Sequence, residues 1–447
     1  MTHRITVLGT GYLGVTHAAC MAEQGFEVLA MDVDADKVAA LGAGRLPFYE
    51  PDLEPLLRKH LGASSLRFTT SYAEVADFGD VHFTCVGTPQ RRGDLGADLT
   101  QVDGVLAGLA PHLARPCLVV GKSTVPVGTA ARLAGFLART APAGEAAELA
   151  WNPEFLREGF AVEDTLRPDR LVVGVRGADQ YPGPGARGPA VLREVYAEQL
   201  AAGVPYLVMD YATAELVKVA ANAFLATKIS FINAMAEVCE AAGADVTALA
   251  DALGHDPRIG RRFLNAGLGF GGGCLPKDIR AFMARAGELG AAEALTFLRE
   301  VDAINMRRRT RTVELARAAC GGQLLGRRVA VLGAAFKPNS DDVRDSPSLN
   351  VAGQIQLQGG LVSVYDPKAM DNARALFPTL TYADSATEAC KAADLVLHLT
   401  EWQEFREMDP AELADVVARK VVVDARNALD VGRWQAAGWT VRSLGRG

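Results

Sequence analysis

The sequence lacks the features that mark several classes of protein. Its seven cysteines form no CxxC pair and its seven histidines follow no metal-ligand spacing, so we expect reduced thiols, no disulfide framework and no metal site. The net charge of −7 leaves no basic excess of the kind that nucleic-acid-binding proteins carry. The one basic cluster is "RRRTR" at 307–311, which we interpret as a solvated helix face.

Long hydrophobic runs are also missing. No uninterrupted apolar stretch reaches about 18 residues, so the sequence predicts no membrane span. The N-terminus, "MTHRITVLG", enters a strand-like run at once and lacks the pattern of a signal peptide, so we expect a cytoplasmic protein. The length of 447 residues, with 49% hydrophobic and 22% charged residues, is enough for two or three globular domains.

The first motif, "RITVLGTGYLG" at 4–14, is an apolar strand that runs into a G-x-G-x-x-G turn at Gly9, Gly11 and Gly14. A helix-like segment follows, and a second strand then ends at Asp32. In this context the glycines allow a tight turn and a close approach of pyrophosphate to a helix N-terminus. Asp32 would accept hydrogen bonds from ribose hydroxyls and, with Asp34 beside it, would repel a 2′-phosphate. The pattern therefore predicts NAD as the cofactor.

A second strand-and-glycine start, "RRVAVLGAAFKP", begins at 327 but lacks the second and third glycines. Later strands of the two halves also resemble each other, as in "DFGDVHFTCVGTP" at 77–89 and "KAADLVLHLTEWQEF" at 391–405. We therefore predict an α/β protein with two Rossmann-like, doubly wound domains, the second of which binds something other than a full dinucleotide. The predicted boundaries are 1–210, 211–317 and 318–447.

The segment 212–243 has no proline, and no glycine before its end, so it predicts one long helix joining the two sheet domains. A helix of this length with so much apolar surface commonly packs against a second subunit. We therefore expect a homodimer or a higher homo-oligomer in which this helix is buried.

Two pairs of polar residues lie four positions apart, Glu154 with Glu158 and Lys218 with Asn222. Each pair would share one face of a helix, which by itself is most often a solvated face. Their neighbours favour a site, because Glu154 follows an Asn-Pro element start. Lys218 and Asn222 lie on an alanine-rich, apolar stretch where an isolated lysine would be costly.

The stretch "GFGGGCLPKD" at 269–278 places one thiol in a glycine-rich loop. Pro276 suits the first turn of a helix, so Cys274 would precede a helix N-terminus and lie close to Lys277. Both features favour the thiolate. Beside a nicotinamide, a thiolate can trap an aldehyde after one hydride has left an alcohol, and a second hydride loss then gives a thioester that water hydrolyses. Asp278 could orient a proton or a water.

Together these stretches resemble the nucleotide-sugar 6-dehydrogenases of the UDP-glucose/GDP-mannose dehydrogenase family. Further matching stretches are "GRLPFYEPDLEPLL", "STVPVGT", "WNPEFLREG", "ELVKVAANAFLATKIS", "AFKPNSDDVRDSPS" and "DARNAL". The resemblance implies an NAD-dependent, four-electron oxidation of UDP-glucose to UDP-glucuronate, with the last domain binding the UDP-sugar. It implies Cys274 as the nucleophile, Thr124 and Asp278 as holders of the hydrolytic water, Glu154 in proton transfer, and Lys218 and Asn222 as stabilisers of the oxyanion.

The resemblance also implies the residues that face each ligand. Those facing NAD would be Gly9, Gly11, Tyr12, Leu13, Gly14, Asp32, Lys37, Thr88, Thr124, Glu158, Lys277 and Arg344. Those lining the sugar-nucleotide site would be Glu154, Phe155, Leu156, Arg157, Glu158, Lys218, Asn222, Phe263, Leu264, Asn265, Gly267, Gly271, Lys337 and Arg426. Arg258 resembles the residue that reaches a neighbouring subunit's substrate.

One residue departs from the family pattern: Gly273 stands where a serine usually precedes the cysteine. Three alternatives stay open. A GDP-mannose 6-dehydrogenase would use the same chemistry on another nucleotide sugar. A two-electron 3-hydroxyacid-type dehydrogenase would not need Cys274 or a second sheet domain. A non-catalytic NAD-binding sensor would not need Lys218, Asn222 and Cys274 together.

Overall fold

The computed structural model describes residues 3–177 and 187–446, which divide into two compact units. The first unit comprises Met1–Ala221 with Arg280–Arg285, and the second comprises Asn222–Ile279 with Ala286–Gly447. Each unit is built on one twisted sheet. The two doubly wound sheets and the long helix agree with the predicted fold class, whereas the three predicted domain boundaries stay a prediction.

The sheet of the first unit has its strands in the order β3-β2-β1-β4-β5-β6-β7-β8. All neighbours are parallel except β6 and β7. The strands are β1 (Ile5–Leu8), β2 (Val28–Met31), β3 (Leu66–Thr69), β4 (Val81–Thr84), β5 (Cys117–Gly121), β6 (Ala147–Trp151), β7 (Leu171–Val175) and β8 (Tyr206–Asp210). The central strands are apolar along their whole length because helices cover both faces of the sheet. Accordingly, Ile5 and Val7 join one buried cluster and Leu8 joins another.

Nine helices of the first unit lie within the described residues. They are α1 (Tyr12–Glu23), α2 (Ala35–Gly42), α3 (Leu53–Gly62), α4 (Tyr72–Phe78), α5 (Thr100–Leu109), α6 (Thr129–Thr140), α7 (Ala161–Leu166), α8 (Gly188–Val195) and α9 (Ala197–Ala201). Short 3₁₀ helices occur at Ala110–His112 and Gly144–Ala146, and a third, in the second unit, at Ala292–Leu295.

The sheet of the second unit is parallel throughout, in the order β11-β10-β9-β12-β13-β14. This repeats the order of the first six strands of the first sheet. The strands are β9 (Arg328–Leu332), β10 (Leu361–Tyr365), β11 (Thr381–Tyr382), β12 (Leu395–His398), β13 (Val421–Asp424) and β14 (Thr440–Ser443). The sequence echo at 327 therefore corresponds to a real structural repeat.

The turn after β9 explains why this repeat does not keep the dinucleotide pattern. Asp366, which directly follows β10, is buried, and its Oδ2 accepts hydrogen bonds from the N–H groups of Ala334 (2.8 Å) and Ala335 (2.9 Å) and from the indole of Trp402 (3.0 Å). The backbone donors at the start of this turn are thus satisfied by a carboxylate of the protein itself.

The helix α10 (Tyr211–Ala242) has 32 residues and is about 48 Å long, at about 1.5 Å per residue. Positions 211–221 belong to the first unit and positions 222–242 to the second. The remaining helices are α11 (Val246–Gly254), α12 (Leu275–Glu288), α13 (Phe297–Ala319), α14 (Pro347–Leu357), α15 (Met370–Leu376), α16 (Ala386–Cys390), α17 (Gln403–Glu407), α18 (Pro410–Ala414) and α19 (Val431–Ala436).

Among the described residues, α10 is the one helix that is long and apolar enough to cross a membrane by length and composition. Its polar residues indicate a core helix instead. Glu215, Lys218, Asn222 and Asn233 are all buried within the protein. The carboxylate of Glu215, for example, accepts the N–H groups of Gly128 (2.7 Å) and Ala130 (2.6 Å) at the start of α6.

The interpretation of the basic cluster at 307–311 as a solvated face is wrong for two of its arginines. Arg308 and Arg309 are buried on α13, whereas Arg307 is exposed. Arg308 donates from Nε to the carbonyl of Gly267 (3.2 Å), and Arg309 forms an ion pair with Asp345 (2.8 Å). The charges therefore brace loops of the second unit, which a run of like charges in the sequence does not reveal.

Candidate active site

The loop after β1 is shaped to hold a ligand against its backbone. Gly9 has a φ of +91°, and a Cβ on Gly14 would overlap the Gly9 carbonyl oxygen, so neither position accepts a side chain without strain. Gly11 is the N-cap of α1, no side chain caps the helix there, and a Cβ on Gly11 would meet nothing within 4 Å. This cradle fits the pyrophosphate of a dinucleotide, which needs a close backbone approach at a helix N-terminus.

Asp32 follows β2 directly beside this cradle. Its Oδ2 accepts hydrogen bonds from the N–H and the hydroxyl of Thr10, both at 2.8 Å, and from the Lys37 ammonium at 3.0 Å. Burial acts to raise the pKa of Asp32, but the hydrogen bonds from Thr10 and Lys37 outweigh it and lower that pKa below its ordinary value. Asp32 is therefore ionised at neutral pH. An ionised acceptor here fits the ribose hydroxyls of NAD.

Tyr12 and Glu50 anchor the segment that carries Glu158. The Glu50 carboxylate is buried and accepts hydrogen bonds from the N–H groups of Gly159 (2.6 Å) and Ala161 (2.7 Å) at the start of α7, and from the Tyr12 hydroxyl. Burial raises the pKa of Tyr12, and the hydrogen bond to Glu50 raises it further. Sequence reasoning assigned Tyr12 to the cofactor and missed Glu50. The only signal for Glu50 was an acid in the otherwise apolar stretch "PFYEP".

Glu154 and Lys218 come together in the first unit. The Lys218 ammonium lies 3.2 Å from Glu154 Oε1 and 5.5 Å from the centre of the Phe155 ring. Glu154 Oε2 also accepts the N–H of Leu156 at 2.8 Å, which fixes the carboxylate on its own loop. Lys218 is buried, as its apolar surroundings in the sequence had indicated. Thus a cation and a carboxylate proposed for the chemistry form one ion pair, with the cation buried and the carboxylate largely so.

Two threonines predicted at the site lie on neighbouring loops of the same sheet. Thr88 lies beyond β4 and Thr124 beyond β5, and the Thr88 hydroxyl donates to the Thr124 carbonyl at 2.7 Å. Because β4 and β5 are adjacent and parallel, their carboxyl ends lie at the same edge of the sheet. The Thr124 side chain is half-buried.

Asn222, Cys274 and Asp278 belong to the second unit. The Asn222 amide donates to Asp278 Oδ2 at 2.6 Å, and the Lys277 ammonium pairs with the other oxygen of the same carboxylate. The N–H of Asp278 donates to the Cys274 carbonyl at 3.0 Å, so the helix α12 begins directly after the thiol, as predicted. Of the seven cysteines, Cys274 alone is exposed. The chain therefore presents its one exposed thiol immediately before α12, and the first turn of that helix carries the fixed carboxylate of Asp278.

Gly273, the departure from the family pattern, lies against an arginine. A Cβ at this position would overlap the guanidinium of Arg344, which is paired with Asp342 at 2.7 Å. The absence of a side chain at 273 therefore makes room for the Arg344 guanidinium beside the residue that precedes Cys274.

The glycine loop before Cys274 is held by hydrogen bonds from side chains to its backbone. The Asn305 amide pairs with both the N–H (2.7 Å) and the carbonyl (2.9 Å) of Phe270, and Asn233 accepts the N–H of Gly267 at 2.8 Å. Arg426 donates to the carbonyl of Gly269 at 2.9 Å. Sequence reasoning missed Asn233 and Asn305, which are ordinary residues within helical stretches. Their contacts depend on how the loop crosses α10 and α13.

The other predicted residues differ in exposure. Leu264, Gly267 and Gly271 are buried, Phe263 is half-buried with a positive φ of 66°, and Asn265 is exposed. Arg157 and Arg258 are bound to neighbouring aspartates, Asp164 (2.6 Å) and Asp256 (2.6 Å). Leu13 packs against the core of the first unit, and Lys337 lies 5.4 Å from the Phe336 ring. Within residues 3–177 and 187–446, no group of three or more His, Cys, Asp or Glu is arranged to hold a metal ion.

A dinucleotide cradle with an ionised acid, on the first of two doubly wound sheets, defines the chain as an NAD-dependent dehydrogenase of two sheet domains. Residues 3–200 match the NAD binding domain of the UDP-glucose/GDP-mannose dehydrogenase family, residues 212–307 its central domain and residues 330–431 its UDP binding domain. The chain belongs to this family.

Individual relatives match over nearly the whole chain. UDP-glucose 6-dehydrogenase from Rhizobium meliloti is 40% identical over 443 residues, covering 99% of both chains. UDP-glucose 6-dehydrogenase YwqF from Bacillus subtilis is 37% identical over 443 residues, covering 99% of this chain and 97% of the relative. The solved structure of a UDP-glucose dehydrogenase from Pyrobaculum islandicum is 38% identical, with a TM-score of 0.87 and 98% of each chain covered.

Proposed function

We propose that this chain oxidises the primary alcohol of UDP-glucose to the carboxylate of UDP-glucuronate. One sugar and one water would yield one carboxylate, two NADH and three protons. The exposed thiol of Cys274, at the start of α12 beside the Asn222–Asp278 pair, is the observation that carries this proposal. The names of the relatives, at 37% and 40% identity over the full chain, support UDP-glucose as the substrate.

Cys274 is the proposed nucleophile. NAD, when bound, supplies the hydride acceptor for both oxidations. After the first, the sulfur of Cys274 forms a bond to the aldehyde carbon and gives a thiohemiacetal; after the second, the same bond belongs to a thioester. A buried cysteine could not reach a sugar, and the other six cysteines are buried.

Lys218 and Asn222 stabilise the charge on the reacting oxygen. They lie one turn apart on α10, so they share one face of the helix. An asparagine amide has two N–H groups, and the hydrogen bond to Asp278 uses one of them and orients the other. Fixed donors aimed at a developing oxyanion are among the strongest contributions to catalysis.

Hydrolysis of the thioester releases the acid. In the proposal Thr124 and Asp278 hold the attacking water, and Glu154 takes part in proton transfer. The Lys218 ammonium, 3.2 Å from Glu154, would keep that carboxylate in place.

The proposal also assigns residues to the binding of each ligand. Asp32, Lys37 and the glycine cradle would face NAD, together with Thr88, Glu158, Lys277 and Arg344. The UDP-sugar would contact the loop Phe263–Gly271, Lys337 and Arg426.

We also propose a homodimer in the cytoplasm. Phe224 (67% exposed), Phe231 (48%) and Val238 (58%) follow one another at seven-residue intervals and form an apolar stripe along α10. A second copy of the chain would bury this stripe, and Arg258, on its exposed loop, would reach the partner's substrate.

Counting NADH tests the function. Limiting UDP-glucose with excess NAD should yield two NADH per sugar and an acid product. One NADH per sugar with an aldehyde product would support a two-electron dehydrogenase instead, and no NADH at all would support a sensor. Rates measured in parallel on GDP-mannose decide between the two nucleotide sugars; a higher kcat/KM for GDP-mannose would overturn the substrate assignment.

A further inference from the structure

Lys122 is a buried amine that the proposed chemistry does not use. It follows β5 directly and is 7% exposed. Its ammonium donates to the Asn152 side-chain oxygen at 3.0 Å and to the Asn152 carbonyl at 3.4 Å, and it lies 5.8 Å from the centre of the Phe83 ring. In the part of the chain that the structure describes, no carboxylate lies within ion-pair distance of it. Burying an amine without a carboxylate partner costs folding free energy, so we expect Lys122 to have a specific role.

Asn152, the partner of Lys122, is itself fixed from several sides. Its N–H donates to the carbonyl of Gly121, its amide donates to the carbonyl of Val172, and its side-chain oxygen accepts from the Tyr196 hydroxyl, each at 2.7 Å. Asn152 and Tyr196 are fully buried. The ammonium of Lys122 therefore binds a side chain, that of Asn152, which is fixed to the sheet.

The position of this hydrogen bond connects two loops of the site. Lys122 lies two residues before Thr124, and Asn152 lies two residues before Glu154. Their strands, β5 and β6, are adjacent and parallel, so both loops leave the same edge of the sheet. Burial lowers the pKa of Lys122 below its ordinary value, and the Glu154 carboxylate partly opposes that shift.

We propose that Lys122 is a positioning residue for thioester hydrolysis: it fixes the spacing between Thr124 and Glu154 by binding the Asn152 loop. This inference rests on the proposed function. In the step concerned, the oxygen of water forms a bond to the thioester carbon, and the C–S bond breaks with its electron pair going to Cys274. One proton of water passes to Glu154, and the other leaves when the new carboxylic acid ionises.

The test uses Lys122→Met, which keeps the length of the side chain and removes the donor. With NAD and UDP-glucose, the first oxidation should proceed within about threefold of the parent rate, whereas acid release should slow at least tenfold. A covalent sugar–nucleotide adduct on Cys274 should then accumulate and be visible by intact-protein mass spectrometry. The thermal midpoint should stay level or rise, because a buried amine has been removed.

Two further variants separate positioning from general damage. Lys122→Gln keeps a donor and should recover part of the hydrolysis rate; it also serves if Lys122→Met fails to fold. His82→Gln is the control, because His82 is buried at the amino end of β4 and bonds to Thr6 at 2.7 Å, away from both loops. It should lower stability without producing an adduct.

The proposal fails if Lys122→Met turns over within threefold of the parent. It also fails if both oxidations and hydrolysis fall together without an adduct, or if the Met and Gln variants do not differ. Failure of the proposed function looks different, because then the parent itself would not produce two NADH and an acid from each sugar.

Discussion

The pair of Lys218 and Glu154 offers a prediction that separates a catalytic role from a structural one. Their side chains are 6% and 14% exposed, and their charges lie 3.2 Å apart. Removing one partner of a buried ion pair leaves the other charge uncompensated, which costs about 3–5 kcal/mol of stability. We therefore expect Lys218→Met and Glu154→Gln each to lower the free energy of unfolding by about this amount. The double variant, which buries no charge, should regain most of it.

Across the parent, the two single variants and the double variant, kcat should not change in parallel with stability. Loss of one oxyanion donor typically costs about 10²–10³ in kcat, or about 2.7–4 kcal/mol. The double variant buries no charge, so its stability should match that of the parent within about 1 kcal/mol. It lacks both the proposed donor and the proposed proton acceptor, so its kcat should still be at least about a hundredfold lower.

The measurements are urea unfolding of the four proteins and kcat at saturating NAD and UDP-glucose, expressed per folded site. Denaturant midpoints with an unchanged slope give the stability changes directly. The contrary result is a double variant that is as stable as the parent and has a kcat within about threefold of it, a difference of about 0.65 kcal/mol in activation free energy. It would show that the pair only stabilises the fold. That result would refute the catalytic roles proposed for both residues.

Three further predictions concern the cofactor, the assembly and the nucleophile. The parent should show a much higher kcat/KM with NAD than with NADP, and Asp32→Ala should narrow the difference, because Asp32 is ionised and repels a 2′-phosphate; equal values in the parent would contradict this. Light scattering should give at least twice the chain mass of 47.3 kDa for the parent and a shift towards one chain for Phe231→Asp; a parent mass of one chain would count against the dimer. Cys274→Ser should turn over slowly and accumulate a covalent sugar adduct, because serine is the poorer nucleophile and its ester hydrolyses more slowly; near-normal turnover would reject the assignment.

Much of the fold could be predicted because it depends on local patterns. The turn at Gly9, Gly11 and Gly14 stands between a fully apolar strand and a helix, and only a sheet covered on both faces buries such strands completely. The repeat at 327 predicted the second sheet for the same reason. The antiparallel pairing of β6 with β7 has no such local signal, since the direction of a strand in a sheet depends on the path of the chain between strands.

The candidate site was predictable as a set of residues but less so as a network. Cys274 and Asp278 lie four residues apart, so the start of one helix brings their backbones together. Asn222 lies 56 positions from Asp278, and their hydrogen bond depends on how α10 packs beside α12. Glu50, Asn305 and Arg308 were missed because each binds backbone groups of a distant segment, and backbone groups leave no trace in the sequence.

The turn after β9 bears on which ligands the second sheet can hold. The second sheet keeps the strand order and the terminal acid of the first, but Asp366 occupies the donors of Ala334 and Ala335 with its own negative charge. In the first sheet the equivalent acid, Asp32, accepts one N–H group of the turn, that of Thr10, and the residue after Thr10 is Gly11. Its other hydrogen bonds come from the Thr10 hydroxyl, the N–H of Asp34 and the Lys37 ammonium. A phosphate that approached the second turn would meet a carboxylate where the first turn offers N–H groups. We therefore expect the second sheet to disfavour a dinucleotide at this turn although its strand order is that of the first sheet.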